Sequence, residues 1–190
     1  MAESSLDSLK QTRSVQVEFR AYELRPEGTP PLPPEVEAQH RQRVAAGWPR
    51  LQQVARDRFG LELKRMDDPR PHPTRLAHIG AKHASAHGQA EAYHRAVFRA
   101  HWQELRDIAS VETLVEIAAV VGLGEAEFRA ALEDPDYRAQ VEADEYWAWQ
   151  QNLSGVPAFI FAERYLVSGA QPAELLQQVV DRCVQEGLSV

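Results

Sequence analysis

The sequence predicts an α/β protein interrupted by a long all-helical block. Three observations carry this: an alternating apolar segment at 14–21, helical periodicity from residue 34 to about 151, and two short apolar runs at 158–161 and 164–168 followed by a last helix. With 190 residues, 44% of them hydrophobic, the chain is long enough for one well-packed domain or one domain carrying a large insertion, and too apolar for disorder. The net charge of −7, without any run of Lys or Arg, argues against nucleic-acid and anionic-membrane partners, since both need local positive charge against phosphate. No stretch approaches the roughly 20 apolar residues of a membrane span, and the first ten residues show no signal-peptide pattern. The expected location is the cytoplasm. The single cysteine, Cys183, excludes an internal disulfide framework and fits a reducing compartment.

Residues 3–12 read as a short helix. From Ser14 to Ala21, Val15, Val17, Phe19 and Ala21 alternate with polar residues, the pattern of a strand with one side against a core. Residues 24–34 hold five of the twelve prolines and form a linker. The period then becomes helical, with helices expected at 34–46 and 49–59, the second capped by Gly60. After a connection at 61–73 come helices near 74–86, 89–104, 111–122 and 124–132, punctuated by Gly88, Ser110 and Gly124. Asp134 and Pro135 make an N-cap and first turn for a long helix to about Gln151. Then come the two strands and a helix from about Pro172 to Gln185. The implied division is 1–26 with 134–190 for the α/β part and 27–133 for the helical insertion.

The Gly155-Val156-Pro157 step ahead of an apolar strand resembles the cis-proline loop of thioredoxin-fold proteins. With the helical block, the chain resembles the DsbA family, and within it the FrnE-like branch, over nearly its whole length. Val17-Glu-Phe-Arg-Ala-Tyr-Glu-Leu-Arg-Pro26 is similar to the family's strand and Phe/Tyr-Glu-Leu-x-Pro turn, and Phe98 to Ile108 to the helix ending in Arg-Asp-Ile. Ser154-Gly-Val-Pro157 and Ser168-Gly-Ala-Gln-Pro172 are similar to its cis-proline loop and the start of its final helix. The resemblance implies a thioredoxin-like (DsbA-like) fold, thiol–disulfide oxidoreductase chemistry without a cofactor, and a thiol- or disulfide-containing protein or small molecule as substrate. It also implies Gly155, Val156 and Pro157 as the edge where an extended substrate docks.

The family pattern begins with a strand and a Cys-Pro-x-Cys motif, and the residues before Val15 match only the rear half of the helix that follows. The first central strand and the redox cysteines are therefore expected to be missing from this chain, with Met1 an internal start codon of a longer gene. No residue of the chain is expected to be catalytic, and the chain alone is expected to be inactive and unstable, because thiol–disulfide exchange needs a thiolate and a sheet needs its central strand. Two other readings stay open. One is a redox-inactive binding module that keeps the cis-proline groove. The other is a relative of glutathione-dependent isomerases and kappa-type transferases, against which Gly169-Ala-Gln-Pro172 counts, since those relatives tend to have Gly-x-Asp-Arg there. Oligomeric state is open.

The remaining candidates read as structural. Cys183 shares a helical face with Leu176, Val179, Val180 and Val184, which makes it a core residue. His72, His78, His83, His87, His94 and His101 crowd into thirty residues, and His83 and His87 stand i, i+4. Without an evident third ligand they read as solvated or capping side chains rather than a metal site. Glu142, Asp144 and Glu145 read as the wet side of a helix. Of Trp147 and Trp149, spaced i, i+2, only one can face inward.

Overall fold

The computed structural model describes residues 2–26, 28–65 and 73–190, so His72 lies outside the described residues. The chain forms two compact units, Met1–Leu24 with Trp147–Val190, and Arg25–Tyr146. The division falls inside one helix.

The first unit contains α1 (Ala2–Thr12), the end of α7 (Pro135–Gln150), strands β1 (Ala158–Phe161) and β2 (Tyr165–Ser168), and α8 (Ala173–Gln185). The strands form an antiparallel hairpin with Phe159 opposite Val167 and Phe161 opposite Tyr165. Its turn places Ala162 and Glu163 at positive φ. A core of Leu6, Leu9, Phe161, Leu176, Val180 and Cys183 joins α1, β1 and α8. Burial of each large aliphatic or aromatic member contributes about 1.5–3 kcal/mol. At the rim, the Arg13 guanidinium donates to both carboxylate oxygens of Asp181 at 2.6 and 2.8 Å. This pairing holds the Asp181 carboxyl below its usual range.

Residues 14–21 are a correction. They alternate between exposed and partly buried, and Val15, Val17 and Phe19 pack on the same core, but they form no strand. Among the described residues the sheet has β1 and β2 alone. The face was correctly read; a ladder additionally needs a neighbouring backbone, which a periodic pattern cannot supply.

The second unit is helical. Instead of two helices at 34–46 and 49–59 there is one, α2 (Pro34–Phe59), with Pro49 inside it. Proline deprives the carbonyl four residues earlier of its partner, but Ala45 is exposed, so water can take that place. Gly60 ends the helix in the left-handed conformation at φ 64°. The remaining helices are α3 (Arg75–Ala86), α4 (Ala90–Trp102), α5 (Val111–Val120), α6 (Glu125–Ala131) and the body of α7. Caps act as the sequence implies: the Ser110 side chain accepts from the Thr113 N–H at 3.4 Å, and Asp134 Oδ1 accepts from the Asp136 N–H at 2.8 Å. The unit's core includes Ile79, Tyr93, Leu114, Phe128 and Val141, all wholly buried.

Two further corrections concern side chains. Val184, expected on the core face of α8, is 64% exposed, because it stands about 100° round the helix from the buried Cys183, at the edge of the stripe. Asp144 is buried rather than wet: it pairs with Lys82 at 2.5 Å, while Arg75 reaches Glu142 at 3.4 Å and Glu145 at 3.2 Å. These pairs form a seam between α3 and α7.

Two predictions follow from this packing. A Cβ at Gly80 would stand 2.4 Å from the Tyr93 hydroxyl and 2.6 Å from Phe128 Cζ. Gly80→Ala is expected to destabilise the helical unit by about 1–3 kcal/mol through overpacking, read as a lowered thermal midpoint of its circular dichroism transition. Cys183 is fully buried. Native protein is expected to resist a thiol reagent that labels the guanidinium-unfolded chain at once; equal labelling rates would remove Cys183 from the core.

Candidate functional site

The site is built where α7 gives way to β1. The N–H of Asn152 bonds to the Trp149 carbonyl at 2.9 Å and that of Leu153 to the Ala148 carbonyl at 3.0 Å, so the helix closes with Asn152 at φ 55°. Asn is among the few non-glycine residues that adopt this region readily. The Tyr22 hydroxyl donates to the Leu153 carbonyl at 3.3 Å and ties the end of the alternating segment to this loop. The chain then runs through Ser154 and Gly155 to a cis Val156–Pro157 bond.

Two features make the loop an open edge. The Pro157 carbonyl accepts from the Gly169 N–H at 2.8 Å, which fixes the parity of the hairpin. Pro157, Phe159 and Phe161 turn their backbone groups to β2, and those of Ala158 and Ile160 face the other way. Val156 is 51% exposed, and its N–H and C=O have no partner among the described residues. A donor and an acceptor are thus presented beside an exposed apolar side chain, the arrangement by which an extended chain adds to a strand edge. Gly155 has open space where a Cβ would stand.

Two tryptophans stand on the last turns of α7 before the loop. Arg20 lies over the Trp147 ring at 4.3 Å and also pairs with Glu18 at 3.2 Å. Trp147 is half-buried and Trp149 is 71% exposed, which divides the two tryptophans as their spacing requires. The Tyr22 and Arg20 contacts were not evident in sequence; the only signal was the position of both in the segment that resembles the family's strand and turn.

The loop carries no thiol, imidazole or free acid–base pair. Cys183 belongs to the core beneath the hairpin, and all seven histidines fall within Arg25–Tyr146. Glu142, Asp144 and Glu145 are engaged with Arg75 and Lys82. Among the described residues no group of three His, Cys, Asp or Glu side chains can hold a metal ion, and no helix is long and apolar enough to cross a membrane. His83 and His87, the i, i+4 pair, lie with tilted rings and centroids 4.1 Å apart, but His83 is buried, correcting its reading as a solvated side chain. A cleft of about 460 Å³ lined by Ala45, Trp48, Pro49, Gln52, Lys64 and Arg65 lies in the helical unit and includes none of the loop residues.

Solved structures share this fold. A probable DsbA oxidoreductase of Streptomyces coelicolor is 29% identical, superposes with a TM-score of 0.80, and is matched over 97% of this chain and 84% of its own. A candidate protein disulfide isomerase of Nitrosomonas europaea is 21% identical with a TM-score of 0.73, over 97% and 90%. A 2-hydroxychromene-2-carboxylate isomerase is 19% identical with a TM-score of 0.77, over 98% and 90%. No curated protein matches the sequence. The family of DsbA-like thioredoxin domains matches residues 1–181, and with the fold and the loop geometry this places the chain in that family.

Proposed function

We propose that this chain is the docking and scaffolding part of a cytoplasmic, FrnE-like thiol–disulfide oxidoreductase whose redox dithiol is not among these 190 residues. The observation that carries the reading is the cis Val156–Pro157 loop with its open backbone donor and acceptor, set in a DsbA-like thioredoxin domain. An extended substrate with a cysteine pairs along Gly155, Val156 and Pro157. A thiolate then attacks the substrate disulfide, a mixed disulfide forms, and the second thiol of the pair resolves it with release of the reduced substrate. Neither thiol is Cys183, which is fully buried in the core.

A second reading, a redox-inactive binder of extended peptides, is favoured by that same burial of the chain's one cysteine. The isomerase reading has the fold alone in its support, at 19% identity.

The deciding experiment is the intact mass of the endogenous protein after reduction and alkylation. A mass above that of Met1–Val190 with two additional alkylated cysteines is expected. A matching mass with one alkylation would leave the peptide-binding reading. In an active form, Val156→Pro removes a backbone donor from the docking edge and is expected to lower kcat/KM toward a peptide disulfide about tenfold, the worth of one hydrogen bond. Gly155→Ala, whose Cβ meets nothing, is expected to change it less than about twofold. Equal effects of the two would remove the backbone edge from the mechanism.

A further inference from the structure

All seven histidines of the chain lie in Arg25–Tyr146, and the thioredoxin-like unit has none. One of them, His83 on α3, is enclosed, with 5% of its surface exposed. The rings of Phe128 on α6 and Tyr137 on α7 stand nearly perpendicular to its imidazole, with centroids at 5.6 and 5.5 Å, and the His87 ring lies at 4.1 Å. Its Nδ1 is buried without a hydrogen-bond partner among the described residues, as is the hydroxyl of Tyr93 on α4. The ionisable groups acting on it are His87 of its own helix, which disfavours its charge, and Glu127 of α6, which favours it.

We propose that His83 is an acid-sensitive latch: neutral, it packs α3 against α6 and α7, and protonated, it releases them while the thioredoxin-like unit stays packed. An imidazolium needs an acceptor for each N–H, and at Nδ1 the described residues provide none. Burial, followed by His87, accordingly lowers the His83 pKa. His94 on α4 acts with the same sign: burial, then His78 of α3 and Arg95, lower its pKa to about 4 against the opposing pull of Glu91.

The direction of the pH effect follows from linkage. An opened helical unit exposes histidines that bind protons near pH 6.5, whereas the packed unit takes them up only at lower pH. The contribution of a neutral His83 is therefore complete above about pH 6.5 and declines as the pH falls toward its lowered pKa. In the thioredoxin-like unit the groups held below their ordinary values are Asp181 and Glu186. Their contributions persist down to the ordinary carboxylate range, near pH 4. At about pH 5.5 the two units should part company.

The test is amide hydrogen exchange on the full chain at about pH 7.5 and about pH 5.5, corrected for intrinsic rates. Amides of α3, α6 and the first part of α7 are expected to lose about tenfold or more of their protection at the lower pH, and those of β1, β2 and α8 less than about twofold. His83→Phe is expected to remove about tenfold of that difference. A parallel NMR titration of wild-type His83 should place its midpoint below the ordinary histidine value of about 6.5, and it decides the matter if His83→Phe fails to fold. Equal loss in both units, no loss in the helical one, or a His83 midpoint at or above about 6.5 would overturn the latch.

Discussion

The apolar stripe of α8 is what the thioredoxin-like unit depends on. Leu176, Val180 and Cys183 lie wholly buried beneath β1 and against Leu6 and Leu9 of α1. Each strand of the hairpin is four residues long, and a two-stranded hairpin has marginal stability in water on its own. Burial under Phe161 therefore supplies what two short ladders cannot. The consequence reaches the site directly. Because α8 holds the hairpin and the Gly169 N–H holds the Pro157 carbonyl, the Val156–Pro157 loop has a fixed outward edge rather than a floating one.

What was legible in the sequence was mostly what is local. Helix ends were readable at Ser110, Asp134 and Gly60 because each acts on backbone groups within a turn of itself. The Gly-Val-Pro step pointed to the site for the same reason. What failed depended on remote partners or on solvent. Residues 14–21 carry the correct alternation but form no strand, and Pro49 does not break α2 because the helix is exposed there. The burial of His83 was invisible because its cage comes from Phe128 and Tyr137 on other helices. Helical spacing places His83 on a face but says nothing about what covers that face.

The acidic residues of α7 show how charge can be read wrongly from one helix alone. Glu142, Asp144 and Glu145 form a run that periodicity assigns to solvent, and α7 has little apolar face of its own. Their partners, Arg75 and Lys82, stand on α3. In the Lys82–Asp144 pair the carboxylate is buried and the ammonium partly so, and removing Lys82 would leave a buried charge stranded, a loss that approaches about 3–5 kcal/mol for fully buried pairs. These carboxylates are thereby committed to holding α7, which removes them from any acid–base role and leaves the cis-proline loop as the chain's best-supported site.

The proposed role of that loop separates recognition from chemistry. On the function proposed above, a backbone donor and acceptor at Val156 would recognise the extended shape of a substrate chain irrespective of its sequence, since every residue but proline offers the same complementary groups. The exposed Val156 side chain would add an apolar preference beside it. A thiol–disulfide step requires in addition a solvent-accessible thiolate. Cys183 is unsuited to that role because the packing that stabilises α8 is what buries its sulfur. Freeing it would open the core on which the hairpin, and hence the docking edge, rests. On that proposal, recognition at the loop and Cys183 reactivity exclude each other, and a redox activity at Val156 would have to draw on another thiol.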